Sequence, residues 1–304
     1  MANARGKAID NTHLSIDNAE ERGFIHRDYI AHCFRWSHVV KYLLQKHRYK
    51  TATILDIGCG KEVPLAKLLY SNKMTGCTYI GVDVNKLEPD FNFGKFAEGM
   101  HLHGQSDVCE VARVNSAGMV EIDIDNKHKM HYQCYKRPTV ITCFEVLEHV
   151  EPNHSVRMLQ KIREVLADDG VAFISTPCFN GDAAANHVNE ITYEALGTLI
   201  CELGFGIEGV YGTFASQRDV EPAILKYGDT CGDSLWKAYG ELKAYYDSNV
   251  LATMFAPLFP QFSRNALWVL TADPQEHQDN WTFPSWEELE QPWTSSELWE
   301  ELKP

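Results

Sequence analysis

Two hydrophobic rhythms alternate along the chain. Short continuous apolar runs at 53–57, 79–82, 139–143, 171–175, 207–213 and 265–270 are bounded by glycine, proline or acidic residues. Runs of this length rich in β-branched residues read as strands covered on both faces. Between them, helical spacing predicts one or two helices over 24–47, then helices at 64–70, 153–166 and 191–203, and another at 234–246. Asn153 is the expected N-cap of the helix through Leu166, and Thr192 that of the helix ending before Gly204. Alternating strands and helices imply an α/β fold around one mostly parallel sheet. The stretch 84–137 resists this reading apart from the clean alternation at 119–124.

The first strand carries the densest chemistry. Thr53-Ile54-Leu55-Asp56-Ile57 runs into Gly58-Cys59-Gly60, a turn whose glycines can adopt φ values closed to other residues. Asp56 sits near the carboxyl end of its strand, where open α/β sheets bind ligands. The second strand ends Gly81-Val82-Asp83-Val84, which sets another acid at the same edge, as nucleotide-binding units do to accept ribose hydroxyls. A dinucleotide fingerprint would need a third glycine at position 63, which is Val63, so a nicotinamide-dependent oxidoreductase is disfavoured.

After the strand at 139–143 comes Phe144-Glu145-Val146-Leu147-Glu148-His149. If this segment turns helically, Glu145, Glu148 and His149 stand at i, i+3 and i+4 on one face. Two carboxylates and an imidazole there can act as catalytic groups or hold a divalent cation. The metal-free arrangement is the preferred one, and His149 as a metal-free general base is a separate option. Arg35-Trp36 in the N-terminal helix is read as a solvated arginine beside a packed tryptophan, with contact to an anionic or planar substrate as the alternative. Cys178 is read as a small core residue rather than a nucleophile.

Composition narrows the class. The chain has 304 residues, 44% of them hydrophobic, enough for one large domain with additions. No apolar run reaches the roughly twenty residues of a membrane helix, and residues 1–7 lack a signal-peptide core, so a cytoplasmic location without membrane attachment is expected. Nine scattered cysteines without a Cys-x-x-Cys pair suggest neither a disulfide framework nor a zinc knuckle. The net charge of −14 is uneven: residues 1–50 carry nine Lys/Arg against five Asp/Glu, and residues 273–304 carry nine acids against one lysine. An acidic body argues against broad phosphate binding. The expected organisation is an N-terminal arm and covering helix (1–50), a central domain (51–272) with a substrate-side insertion at about 216–262, and an acidic tail (273–304). That tail has four tryptophans and too little aliphatic content for a core of its own, so it is expected to dock on the domain or on a second chain.

The acid-x-Gly-x-Gly turn, the Gly-Val-Asp that follows and the Glu-x-x-Glu-His after the strand at 139–143 together resemble class I S-adenosylmethionine-dependent methyltransferases, over roughly residues 53–215. Glu62 stands where that family often has a further glycine. The resemblance implies a Rossmann-like fold with a seven-stranded sheet, helices on both faces and an antiparallel last strand entering between the fifth and sixth. It implies S-adenosyl-L-methionine as cofactor, with Asp56, Gly58, Cys59, Gly60, Asp83, Val84, Asp107, Phe144 and Glu145 around it. Asp56 would lie near the cofactor's amino group and Asp83 at its ribose, while Asp107, Asp123 and Asp125 compete for the place by the adenine. The implied activity is methyl transfer to an oxygen or nitrogen of a small molecule or modified nucleotide. A second reading is a metal-assisted RNA 2′-O-methyltransferase: His187, in a His-x-x-Glu-x-Thr run similar to one in the small-RNA 3′-end enzymes, would then join Glu145, Glu148 and His149 as ligands. A third, of another class, is a cofactor-binding scaffold without turnover. The central region and the insertion also faintly resemble phage-encoded methyltransferases, which would make the location the host cytoplasm.

Overall fold

The computed structural model describes residues 27–46, 50–126, 129–231, 233–274 and 281–301, with the side chains of 27–29, 124–132, 226–236 and 300–301 outside the description. The arm expected over 1–23 lies outside the described residues. Strands β1 (Thr53–Ile57), β2 (Thr78–Asp83), β3 (Met100–Gly104), β7 (Val140–Phe144), β8 (Val171–Pro177), β9 (Gly206–Phe214) and β10 (Asn265–Thr271) form one sheet in the order β3-β2-β1-β7-β8-β10-β9. Pairings from β3 through to β8 are parallel. β10 is antiparallel to both neighbours, β8 and β9. This is the expected architecture, and the strand order reverses between β1 and β7, where doubly wound folds form their binding crevice.

Both faces of the sheet are covered because successive strand residues point opposite ways. Ile54, Tyr79 and Val140 pack with Leu43 of α1 (Arg27–Gln45) and Leu65 of α2 (Pro64–Ser71). Leu55, Ile80 and Ile141 face α4 (Pro152–Val165) and α5 (Tyr193–Glu202) through Leu159 and Leu196. The expected N-cap at Asn153 moves: Glu151 takes the N-cap position of α4 without a side-chain bond and Pro152 opens the helix, as fits a residue whose missing N–H would lack a helical partner anyway. Thr192 does cap α5, accepting from the Ala195 N–H.

The stretch that resisted sequence reading contains β3 and a short helix α3 (Val108–Val111), then a separate antiparallel sheet of β4 (Ala112–Val114), β5 (Val120–Asn126) and β6 (Lys129–Tyr135). β3, Met-His-Leu-His-Gly, is an edge strand with only partial cover and so lacks the apolar run of its neighbours. The insertion between β9 and β10 folds into α6 (Gln217–Cys231), α7 (Asp233–Leu242) and α8 (Ser248–Phe255), with a small core around Tyr239 and Ile224.

The tail docks on this same chain. Trp293, Trp299 and Leu289 are buried in the main core, with Trp281, Phe283 and Trp286 packed beside them. Phe283 occupies the space a side chain would fill at Gly197 on α5: a Cβ there would stand 2.2 Å from the ring. Gly197→Ala is therefore expected to push the tail off α5 and cost about 1–3 kcal/mol, typical of overpacking. Urea unfolding followed by tryptophan fluorescence checks this, and an unchanged midpoint would refute it.

Candidate active site

At the reversal point, β1 ends in a turn in which Gly58 (φ 67°) and Gly60 (φ 73°) both lie in the left-handed region. A Cβ on Gly58 would also meet Val146 Cγ2 at 2.3 Å, so this position requires glycine on two counts. Asp83, at the end of β2, ties the turn down: its Oδ2 accepts from the Gly60 N–H at 2.9 Å and its Oδ1 from the Asn85 N–H at 2.7 Å. Each oxygen keeps acceptor capacity beyond that bond. Val84 beside it is 69% exposed. Cys59 is buried, its sulfur against Gly81. Val63, at φ 48°, takes a left-handed conformation at the very position where a dinucleotide fingerprint would use glycine.

Asp56 serves the interior. It accepts from the Tyr79 hydroxyl at 2.5 Å and the Thr142 hydroxyl at 2.7 Å. Burial pushes its carboxyl up to about 6 despite those two donors. Of the three acids considered for the end of the third strand, Asp107 lies there: it follows β3, caps α3 through the Cys109 N–H and reaches His154 Nε2 at 3.1 Å. Asp123 belongs to β5 in the separate small sheet, and the Asp125 side chain lies outside the described residues.

The segment after β7 is not one helix. Phe144 is half-buried, Glu145 adopts φ 57°, and only Leu147–His149 forms a single 3₁₀ turn. Glu145, Glu148 and His149 thus do not share a helical face. Glu145 points to a polar cluster drawn from three distant elements. Its Oε1 receives Arg35 Nη1 at 3.1 Å, Ser175 Oγ at 2.7 Å and Asn265 Nδ2 at 3.0 Å, while Oε2 receives Asn265 Nδ2 at 2.8 Å. Burial alone would raise this carboxyl, but Arg35, Asn265 and Ser175 hold it below the usual range. Its side chain is 27% exposed, so the carboxylate is not wholly closed off from solvent.

Arg35 is the largest correction to the sequence reading: it is 2% exposed, not solvated. Its Nη1 also reaches Asn265 Oδ1 at 3.3 Å, its Nη2 lies 2.7 Å from His32 Nδ1, and its Nε is buried without a partner among the described residues. A guanidinium only donates, so His32 Nδ1 accepts and the ring proton sits on Nε2. Burial, then Arg35, depress this imidazole to about 3. Trp36 stacks on it, with centroids 5.2 Å apart.

Glu148 behaves oppositely to Glu145. It is 1% exposed and accepts from the Thr176 hydroxyl at 3.2 Å. Burial, reinforced by the Glu145 charge, raises its carboxyl well above the ordinary range. Glu148, His149 and His187 each offer a ligand atom, all within 4.8 Å of one another. His149 Nδ1 contacts the Asn186 carbonyl at 3.2 Å and His187 Nδ1 contacts Glu190 Oε1 at 2.5 Å, which leaves both Nε2 atoms available. Glu145 is not a member of this group. Cys178 is buried and its thiol is pushed up by burial, as suits a core residue.

The sequence reading missed His32, Ser175 and Asn265, and gave Glu190 no role beyond its place in the run from His187. Ser175 and Asn265 become informative only through Glu145, far away in the chain, and His32 only once Arg35, three residues on, is buried.

A family model described as "Methyltransferase domain" (Methyltransf_23) matches residues 28–203. Ubiquinone biosynthesis O-methyltransferase of Glaesserella parasuis serovar 5 (strain SH0165) is 31% identical over 126 residues, covering 40% of this chain and 44% of that protein. (S)-coclaurine N-methyltransferase of Papaver somniferum is 26% identical over 126 residues, covering 41% and 30%. The chain thus spans less than half the length of the curated relatives that it matches. Among solved structures, 1,6-didemethyltoxoflavin-N1-methyltransferase of Burkholderia thailandensis aligns over 75% of this chain and 74% of its own at 15% identity and TM-score 0.42. The methyltransferase domain of bacterial CtHen1-C aligns over 79% and 97% at 15% identity and TM-score 0.43.

Two outcomes follow from the geometry. Arg35→Met removes the only cation bonded to the Glu145 carboxylate among the described residues and is expected to cost about 3 kcal/mol or more. Arg35→Lys should recover only part of this, because an ammonium cannot reproduce the guanidinium fork; urea unfolding of both variants is the check. Asp56 gives a pH signature. Its folded-state carboxyl is raised, so the native state binds the extra proton, and stability falls as pH climbs from about 4 to about 6. That loss, up to roughly 3 kcal/mol for a rise of about two units, should be missing from Asp56→Asn, and parallel pH profiles for the two proteins would contradict it.

Proposed function

The chain belongs to the methyltransferase domain family, and from that membership we propose that it transfers a methyl group from S-adenosyl-L-methionine to an oxygen or nitrogen of a small molecule or modified nucleotide. The observation that carries this reading is the Gly58–Gly60 turn laced to Asp83 at the reversal point of the sheet. These residues fit the cofactor chemically. Asp83 is an acceptor-only carboxylate with spare lone pairs, suited to a vicinal diol that donates two hydrogen bonds. Exposed Val84 offers an apolar surface beside it, and Asp107 stands at the next strand end, where an amino group of the adenine would find an acceptor. Asp56 supports the turn from beneath, through Tyr79 and Thr142.

When bound, the cofactor supplies a sulfonium methyl that reacts by in-line displacement, so positioning of the acceptor accounts for much of the rate. Glu145 is the group best suited to that task. Ionised and partly open to the cleft, its carboxylate accepts a hydrogen bond from an O–H or N–H of the incoming acceptor, and Arg35, Asn265 and Ser175 fix its direction. Its depressed carboxyl makes it an orienting group rather than a strong base.

A second reading, metal-assisted methyl transfer to an RNA 2′-hydroxyl, is favoured by one observation, the clustering of Glu148, His149 and His187. Two imidazoles and a carboxylate suit Zn²⁺ or Mn²⁺, and a cation there would offset the cost of ionising buried Glu148. The ligand set differs from the expected one, since Glu145 is engaged with Arg35.

Transfer of labelled methyl from S-adenosylmethionine into a cell extract, fractionated into DNA, RNA, protein and small molecules, tests these readings. Label is expected in the small-molecule pool, insensitive to chelator, and Asp83→Ala should weaken binding of S-adenosylhomocysteine at least tenfold by calorimetry, the scale of about 1.4 kcal/mol. Label in RNA that a chelator abolishes and added metal restores would favour the second reading. Cofactor binding with no label in any pool would leave a scaffold without turnover.

A further inference from the structure

The chain between β8 and α5, residues 178–192, carries His187 and Glu190 to the edge where Glu148 and His149 lie, yet it has no helix of its own and only isolated bridges. Loops of that length hold a geometry only when their backbone groups are tied elsewhere. Here the ties run in two directions. Toward the turn after β7, the Val188 and Asn189 N–H groups donate to the Glu148 carbonyl at 2.9 and 3.2 Å. Toward the tail, Thr192 N–H donates to the Trp293 carbonyl at 2.9 Å, Ser295 N–H to the Glu190 carbonyl at 2.8 Å, and Glu190 N–H to Ser295 Oγ at 2.8 Å. Ile191 is bridged by Cys178 on one side and Thr294 on the other, so the tail acts as a third strand of a small ribbon.

Asn189 is where both sets of ties meet. It is buried; its Nδ2 donates to Ser155 Oγ at 2.8 Å and to the Leu147 carbonyl at 3.3 Å, and its Oδ1 accepts from Trp299 Nε1 at 2.6 Å. Trp299 is itself 3% exposed and lies against Trp293. The indole of a residue near the end of the described chain thus completes a hydrogen-bonded path, Trp299 to Asn189 to Leu147, into the turn between Glu145 and Glu148. A buried indole N–H and a buried amide each need their partner, so the contact selects one register of the tail on the loop.

We propose that Trp299 and Asn189 are positioning residues: the C-terminal tail sets His187 and Glu190 against the Glu145–His149 turn, and the active edge is complete only with the tail in place. This rests on the reading of that turn as the active edge. Trp299 touches no reacting atom in this account and acts through Asn189.

The test compares two full-length variants. Trp299→Phe keeps most of the apolar volume but removes the N–H to Asn189. Met74→Ala empties space in the core at the loop before β2, away from the tail and the 186–192 segment, and so reports simple destabilisation. Trp299→Phe is expected to lower kcat for methyl transfer into the labelled pool on the order of tenfold, the scale of a sub-ångström misplacement, with S-adenosylhomocysteine affinity within about twofold of the native value. It should also shift the imidazole ¹⁵N resonances of His149 and His187. Met74→Ala should lower Tm at least as much while leaving kcat and those resonances unchanged. An equal loss of kcat in both variants, or unshifted imidazole resonances in Trp299→Phe, would overturn the proposal. Absence of transfer by the native chain would count against the methyl-transfer reading alone, and the resonances would still decide the positioning role.

Discussion

The candidate active edge depends on how one arginine is kept out of water. Burying a guanidinium costs several kcal/mol unless its charge and donors are matched, and Arg35 is matched by the Glu145 carboxylate, the Asn265 amide and His32 Nδ1. Those partners come from the turn after β7, the start of β10 and one turn earlier on α1. Each end of the network therefore holds the others. α1 cannot leave the sheet without stranding Glu145, and Glu145 cannot relax from its left-handed backbone without stranding Arg35. Backbone strain of this kind persists only where the surroundings over-determine it, and the bonds from Arg35, Ser175 and Asn265 to one side chain do so.

The same cation divides the acids of this edge into two kinds. Asp56, Glu145 and Glu148 are all withdrawn from solvent to different degrees, and Arg35 forms its ion pair with only one of them. Glu145 takes it and stays ionised. Asp56, with two hydroxyl donors, is pushed up to about 6, and Glu148, beside the Glu145 charge, is pushed higher than its ordinary range. Neighbouring carboxylates with divergent environments are the usual route by which one site keeps one acid charged and another neutral at the same pH. A cation added at Glu148, His149 and His187 would reverse that second state, so metal and proton would compete for the same carboxylate.

The fold was legible in the sequence where local rules act alone. Six of the seven strands of the main sheet, the glycine turn, the Thr192 cap and the antiparallel last strand follow from apolar runs, turn chemistry and the family resemblance. β3 did not, because an edge strand with partial cover carries no continuous apolar signal. The site was legible only in part. Asp83 and the glycines announce themselves, since their chemistry needs a fixed local spacing. Arg35 was misread because an arginine on an amphipathic helix is normally solvated, and the partner that reverses this lies 110 residues away. The i, i+3, i+4 spacing of Glu145, Glu148 and His149 also misled: it presumes a helical backbone, and the left-handed Glu145 breaks the period before it begins.

The antiparallel direction of β10 then has a consequence for chemistry as well as for topology. A parallel strand presents its last residue at the ligand-binding edge, whereas an antiparallel one presents its first. Asn265 opens β10 opposite Pro177 at the end of β8 and Phe214 at the end of β9, so the residue that follows the whole insertion lands beside Glu145. Its amide uses both functions there: Nδ2 donates to the Glu145 carboxylate, while Oδ1 accepts from Arg35 and from Thr213 Oγ1 at 2.7 Å. No carboxylate or amine of similar size could serve both partners, because the first would repel Glu145 and the second would repel Arg35. Arg264, which leads into Asn265, is paired with Asp219 of α6, so the insertion is tied to the strand start that faces Glu145.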